Sequence, residues 1–425
     1  MDALYCIYPI FRNYLEKRLA SAAEVKTGHN LEGTVVERIN NMREAIEAGA
    51  DEAQQLRHLP SWLTDQMVKE NIFLFACPPE YGGEDATVQE TIDVLEATAA
   101  IDGSVGWNVM IGSEINAMAA GGLPEERVKE VFLDNPGVIM CGGGGPGTSA
   151  TPHAKKVDGG YKVWAETSFM SGCHNSTWAF QNAPLVNDDG EPILDENGMP
   201  SMHMWFINKE EFEIQDTWNM ASLRGSGSHH VKSDGAFVPD RHEPVQLMLP
   251  ARHPNPVYRI PVSMRLSYNK VGTALGVARG AIDSFIELAQ NKTPLMSAST
   301  LKDKPLAQYR LGEAEATVRA CRAYVMETMT AITDELTWSL DGPAQPSWET
   351  TQNARLACTH GAQACLRAVD LIHNTSGTSG LRMDNPLERK LRDAHGCAAH
   401  RWVSPALYEE LGATLFGAEP GMGLL

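Results

Sequence analysis

The order of periodicities along this chain constrains its fold more than any single motif. From about Glu32 to Glu130 apolar residues return at helical spacing, as in Val36, Ile39, Met42 and Ile46 and again in Ile92, Leu95 and Ala99, with Gly and Pro between. From Gly137 to about Val245 the pattern shortens to alternating segments: Tyr161–Thr167, Trp178–Gln181, Met202–Ile207 and Glu211–Gln215. Asp158-Gly-Gly, Asp188-Asp-Gly and Glu196-Asn-Gly separate them as turns. After Pro261 long helical patterns resume over roughly 262–291, 305–338, 348–374 and 386–416, joined by loops such as Asp341-Gly-Pro-Ala-Gln-Pro. A doubly wound sheet needs strands and helices in alternation, so this order excludes it. The expected fold class is α+β and multidomain: an N-terminal helical domain, a middle β-sandwich or barrel, and a C-terminal four-helix bundle. The boundaries read as an extension over 1–34, then 35–136, 137–250 and 251–425. At 425 residues more than one hydrophobic core is expected.

Charge removes whole classes of partner. A net charge of −19 opposes binding to a phosphate backbone or an anionic membrane, so neither nucleic acid nor a membrane is expected as a partner. The first residues carry an acid at Asp2 and an early Pro9, unlike a secretion signal, and no run approaches a membrane span; a cytoplasmic location is the expectation. Cys6, Cys77, Cys141, Cys173, Cys321, Cys358, Cys365 and Cys397 form no C-x-x-C pair, which points to reduced buried thiols, with no disulfide framework and no zinc site. His229-His230 beside Asp234 is a poor metal site because adjacent strand residues face opposite ways, so no metal is expected. Cys141-Gly-Gly-Gly-Gly-Pro-Gly147 lacks the Lys-Ser/Thr of a phosphate loop and reads as a flexible lead into a strand, and no Gly-x-Ser-x-Gly elbow is present.

What remains is a set of short elements in a fixed order. Pro79-Glu-Tyr-Gly-Gly ends one helical segment, and Ile101-Asp-Gly-Ser-Val-Gly-Trp107 begins the next. Trp164-Ala-Glu-Thr-Ser-Phe-Met-Ser-Gly172 is a strand ending on a hydroxyl and a freely placed N–H. Leu223-Arg-Gly-Ser-Gly-Ser228 is a polar turn suited to holding an anion or ring edge through backbone donors. Asn385-Pro-Leu-Glu-Arg-Lys-Leu-Arg-Asp-Ala-His395-Gly-Cys-Ala-Ala-His400 reads as a buried helix with Pro386 in its first turn and Arg389, Arg392 and Asp393 at pairing distance. Placed on one helix, His395 and His400 point about 140° apart, so only one of them faces a given pocket. His360, Gln363, Arg367, Asp370 and Asn374 form a polar stripe whose default reading is a solvated face.

In their order and spacing these elements, with Phe237-Val-Pro and Ser376-Gly377, resemble the acyl-CoA dehydrogenase-fold flavoproteins from about residue 35 onward. Within that fold the chain is similar to the oxygenase components of two-component flavin-dependent monooxygenases, among them the hydroxyphenylacetate, steroid-phenol and dibenzothiophene enzymes. The resemblance implies the acyl-CoA dehydrogenase fold, a homotetramer built through the bundles, and reduced FMN or FAD supplied by a separate NAD(P)H-dependent flavin reductase. O2 is then the co-substrate, and a flavin C4a-hydroperoxide oxygenates a small aromatic substrate, phenolic or heteroaromatic. On the matching positions it implies that Ser171 is the donor near flavin N5, that His400 is the base on the substrate hydroxyl, and that Trp107 is an aromatic wall near flavin and substrate. Gly172, Arg265, Asn374, Ser376 and Gly377 are implied flavin contacts. A phenol of pKa about 10 becomes more nucleophilic as a neutral imidazole draws off its proton.

The dehydrogenase chemistry of the same fold requires a carboxylate base. The region after the Arg-Asp helix reads Ala394-His-Gly-Cys-Ala-Ala-His-Arg-Trp, and the head of the first bundle helix offers Arg265, Tyr268 and Lys270, so neither place supplies one. The alternatives are an N- or S-oxygenating relative, a dehydrogenase-like oxidoreductase with a relocated base, and a non-catalytic assembly partner.

Overall fold

The structure, a computed structural model, describes residues 31–421 apart from 144, 147–150, 196–197, 243–244, 247–251, 254 and 339–344. Cys6 and most of the 1–34 extension, Gly144 and Gly147 of the glycine run, the Glu196-Asn197 turn and residues 341–344 of the Asp341 loop lie outside the described residues.

The first helices begin where the sequence supplies caps. Thr34 and Glu37 close a capping box on α1 (Val35–Asn41), and Thr87 with Glu90 repeats the device on α4 (Val88–Ile101). Between them lie α2 (Arg43–Leu56) and α3 (Ser61–Lys69). Asp102 then caps α5 (Gly103–Gly122) by accepting the Ser104 and Val105 N–H groups at 2.9 and 3.0 Å. Apolar and small residues cover nearly every face of α5, and it is buried accordingly.

Nine strands among the described residues form one sheet: β1 (Met140–Gly142), β2 (Gly145–Pro146), β3 (His153–Val157), β4 (Gly160–Ser168), β5 (Trp178–Val186), β6 (Met202–Asn208), β7 (Glu213–Gln215), β8 (His230–Pro239) and β9 (Val245–Gln246). Their order is β7-β8-β4-β3-β5-β6-β9, with β1 pairing β5 and β2 pairing β4. The antiparallel β4–β8 pair is the one that gathers side chains from distant parts of the sequence, because the residues leaving β4 and those entering β8 meet at one end of the sheet.

The last part of the chain is a bundle of α6 (Val262–Asn291), α7 (Pro305–Trp338), α8 (Trp348–Ser376) and α9 (Pro386–Ala399). Arg355 reaches the Ser263 carbonyl at one end (2.9 Å) and Lys292 reaches the Ser376 carbonyl at the other, so α6 and α8 run the same way. Gly276 and Gly280 leave no room for a Cβ beside the α4 backbone at Glu96 and Ala100, which lets α4 lie close along α6.

Three expectations need correction. The pattern over 386–416 is not one helix: α9 stops at Ala399, a 3₁₀ turn covers Arg401–Val403, and α10 (Ala406–Leu415) follows Pro405. His400 is therefore the residue that ends α9, with extended backbone (φ −64°, ψ 136°), and the 140° argument against His395 does not apply. The polar stripe on α8 is not wholly solvated, since Gln363 is buried and bonded to the Ala398 and Val403 carbonyls (2.8 and 3.0 Å). Nor do Arg389 and Asp393 pair: Arg389 binds Asp51 and Asp102, and Arg392 binds Glu388.

Candidate active site

Three parts of the chain bring side chains together at the end of the sheet. Ser171 follows β4 through a turn in which Phe169 (φ 58°) and Gly172 (φ 77°) are left-handed, and Met170 N–H and Gly172 N–H are tied to the His229 and Ser226 carbonyls (3.0 and 2.9 Å). A Cβ at Gly172 would stand 2.9 Å from Asn108 Oδ1, so both the torsion and the space call for glycine. Trp107, one turn into α5, donates its indole N–H to Ser171 Oγ at 3.1 Å. Ser171 Oγ also lies 2.6 Å from Ser228 Oγ, which is 2.7 Å from Ser226 Oγ. The turn before β8 is held to α5 by Gly225 N–H on Ser104 Oγ (3.1 Å) and Asn108 Nδ2 on the Gly225 carbonyl (3.3 Å). A cleft lined by Leu59, Phe73, Asn108, Met140, Ser171 and Asn175 opens there.

His400 arrives from the bundle. Its ring centroid stands 5.5 Å from that of Trp107, inclined at 60°. The turn carrying it is clamped from both sides. Gln363 holds Ala398 and Val403, Ser267 Oγ donates to the Trp402 carbonyl (3.0 Å), and the Arg355 guanidinium lies 5.1 Å over the Trp402 ring. His400 keeps part of its surface open, yet enough protein surrounds the ring for desolvation, with Lys270 adding to it, to hold its pKa down at about 3. The imidazole is therefore neutral throughout the physiological range. Its Nδ1 accepts the Trp402 N–H at a long 3.4 Å, which leaves the ring proton on Nε2. His395, by contrast, is exposed on the outer face of α9 beside Asp370 (3.3 Å).

The buried charges nearby are engaged. Lys270 and Glu114 pair at 2.6 Å, each with 1% of its side chain exposed, and Asn269 Nδ2 binds the other Glu114 oxygen at 2.8 Å. A carboxylate locked in this way is a poor candidate for the base that dehydrogenase chemistry needs. Asp393 accepts the Leu223 N–H at 2.6 Å, and burial, then Asp102, pushes its pKa up to about 7.

Other expected site residues lie elsewhere. Arg265 is buried at the head of α6 with Nη2 on the Val257 carbonyl (2.6 Å) and Cys77 and Tyr268 as electrostatic neighbours, and among the described residues it makes no hydrogen bond to Trp107, Ser171 or His400. Asn374, Ser376 and Gly377 sit at the far end of α8 beside Lys292, roughly 40 Å from Arg265 along α6 at about 1.5 Å per residue. Within one chain they do not share the Trp107 site. The described cysteines are all buried and free, burial raises the pKa of each of these thiols apart from Cys6, which is not described, and no cluster of three metal-binding side chains occurs among the described residues. No helix among the described residues is long and apolar enough to cross a membrane.

Comparison with known proteins finds relatives and structures similar to this chain over most of its length. The family model described as acyl-CoA dehydrogenase, C-terminal domain, matches residues 270–405. The indole-3-acetate monooxygenase of Acinetobacter baumannii is 26% identical over 379 residues, covering 89% of this chain and 92% of its own. The flavin-dependent monooxygenase oxygenase subunit HsaA of Mycobacterium tuberculosis is 25% identical over 399 residues, covering 91% and 96%. The structure of XiaF from a Streptomyces species, in complex with FADH2 and glycerol, superposes with a TM-score of 0.81 at 23% identity and covers 96% of this chain and 98% of that one. Over nearly its whole length the chain is similar to flavin-dependent monooxygenases, and it shares the fold of XiaF. The positioning roles of Asn108 and Glu114 carry no local signature, whereas the Ser-Gly-Ser run before β8 marked the turn that supplies Ser226 and Ser228.

Proposed function

We propose that this monooxygenase is the oxygenase component of a two-component system. It takes up reduced FMN or FAD from a separate NAD(P)H-dependent reductase and places one oxygen atom of O2 on a small aromatic molecule, the other leaving as water. The observation that carries the reading is that Trp107 of α5 joins the sheet end to the bundle: its indole N–H donates to Ser171 Oγ, and its ring stands 5.5 Å from that of His400.

The residues fit a flavin. The Ser171 hydroxyl and the flat Trp107 ring beside it suit a planar heterocycle edged with acceptors. Bound reduced flavin supplies the electrons and the activation of O2. Ser171 presents a hydroxyl donor at the sheet end, Trp107 walls the substrate space and excludes water, and His400 addresses the substrate. Asn374, Ser376 and Gly377, so far from Arg265 in one chain, are read as contacts to flavin bound by another copy. With its conjugate acid at pKa about 3, His400 cannot simply take a proton from a phenol of pKa about 10. Seven units at 1.36 kcal/mol each make ground-state transfer uphill by about 10 kcal/mol. The imidazole instead accepts the phenol's hydrogen bond and takes a growing share of the proton as oxygen transfer proceeds. That role uses the Nδ1–H tautomer, at the cost of the long Trp402 contact, about 1 kcal/mol.

One observation favours a second reading. The tautomer set by Trp402 makes Nε2–H a donor, suited to a substrate oxygen or nitrogen that is oxygenated with no phenol to ionise.

The same reading includes a homotetramer. Exposed apolar side chains gather on Leu295, Met296, Leu381 and Met383 at the far ends of α6 and α8 and on Leu306 and Tyr309 in the first turns of α7, and these suit a contact with another copy.

The test loads the purified chain with reduced FMN or FAD under argon, then admits ¹⁸O-labelled O2 with a panel of phenols and indoles. Label in the product supports the proposal. Reduction of bound flavin by an acyl-CoA, with no labelled product, overturns it in favour of a dehydrogenase.

A further inference from the structure

The serine cluster behind Ser171 carries a further role, which rests on the one proposed for Ser171. Ser226, Ser228 and Ser171 are 0%, 4% and 4% exposed, and their hydroxyls form a chain with spacings of 2.7 and 2.6 Å. Each hydroxyl has one proton to give. The Trp107 indole only donates, so it occupies an acceptor position on Ser171 Oγ. If both outer hydroxyls donate to Ser228, its own proton has no other acceptor among the described residues, so the chain runs in one of two directions.

If Ser171 donates to Ser228 and Ser228 to Ser226, the Ser226 proton has no other acceptor among the described residues, and a buried donor is stranded. If Ser226 donates to Ser228 and Ser228 to Ser171, every internal group is satisfied and the one proton left over is that of Ser171, which lines the cleft. The fold makes the arrangement local. β4 and β8 are neighbours, and Gly227 (φ 60°), packed against His58, turns the backbone between two serines whose hydroxyls stay 2.7 Å apart. We propose that Ser226 and Ser228 are positioning residues that fix the Ser171 hydroxyl as a donor into the cleft, toward bound reduced flavin. Each bond in the chain also polarises the next, so Ser171 donates more strongly than a lone hydroxyl.

The direction is testable without any flavin. A Ser171 that accepts from Ser228 is a weaker acceptor for the Trp107 N–H, whereas one that donates to Ser228 is a stronger one. In the flavin-free enzyme the Trp107 indole ¹H–¹⁵N resonance, assigned with Trp107→Phe, is therefore expected to move downfield in Ser228→Ala and by less in Ser226→Ala. An unmoved or upfield resonance overturns the proposal. If Ser228→Ala fails to fold, Ser226→Ala decides by the same sign.

The second measurement mixes enzyme loaded with reduced FMN and O2, without substrate, and follows hydrogen peroxide, to which the flavin contributes two electrons and two protons. Ser228→Ala is expected to raise the release rate several-fold, and to add nothing in a Ser171→Ala background. Additive effects overturn the relay. A Ser171→Ala variant releasing peroxide at the wild-type rate refutes the role of Ser171 itself, while the indole shift still decides the direction of the chain.

Discussion

Replacing His400 separates the two readings of the site, and its size follows from ionisation. At pH 7 a phenol of pKa about 10 is ionised to roughly one part in 10³. A His400→Ala enzyme that depends on phenolate already formed in water is then slowed up to about 10³-fold in oxygen transfer, within the usual range for a missing general base. Each unit of pH recovers about tenfold, so most of the defect disappears by pH 9 to 10. The wild type stays flat over the same range, because its imidazole, depressed to about 3, does not titrate there. Oxygen uptake continues in the variant and appears as peroxide. The assay is single-turnover product formation from a phenol with enzyme in excess over reduced FMN, from pH 6 to 9. A defect equal at pH 7 and pH 9 refutes base catalysis and selects the Nε2–H donor, and His400→Gln, which retains a donor but takes no proton, is then nearly active. The same substitution has a consequence for folding. The folded pKa lies below the unfolded value near 6.5, so the unfolded chain binds more protons and wild-type stability falls as pH drops from 6.5 toward 3. The urea midpoint of His400→Ala is expected to fall less steeply over that window than that of the wild type, and equal slopes contradict a buried neutral imidazole.

Ser171→Ala removes one preorganised donor, worth about 3 kcal/mol, and is expected to shift the partition from product to peroxide by about a hundredfold while the circular dichroism melt changes little; an unchanged partition removes Ser171 from the mechanism. Asp393, raised to about 7 by burial and Asp102, contributes stability that is complete below pH 4 and lost as pH rises through 7. Asp393→Asn keeps an acceptor for Leu223 N–H and is expected to flatten the urea-midpoint profile between pH 4 and 7, so an unaltered profile refutes the shift. Sedimentation is expected to give about four times 46.4 kDa, and Leu295→Glu with Met296→Glu to dissociate the assembly; a fully active wild-type monomer at nanomolar concentration excludes the tetramer.

Local patterns in the sequence determined the elements. Thr34-x-x-Glu37 and Thr87-x-x-Glu90 mark helix starts because their side chains satisfy amides only a turn away, and Asp102 does the same for the helix carrying Trp107. Alternation over 161–167 and 202–207 likewise marked β4 and β6, because strand period depends on near neighbours alone. Ser171, Trp107 and His400 were legible as candidates through their motifs. What the sequence could not supply is what brings them within reach of one another. Ser171 meets Ser226 and Ser228 only because β4 and β8 are antiparallel neighbours, across a separation of 57 residues for the closest pair. His400 meets Trp107 only because α9 ends at Ala399 and Gln363, Ser267 and Arg355 clamp the turn beyond it. Helical periodicity in the sequence ran straight through that break, since the residues that fix it belong to other helices. The state of His400 was hidden for the same reason: a sequence names an imidazole, but its proton affinity is set by the desolvation and the neighbouring Lys270 charge that packing places around it.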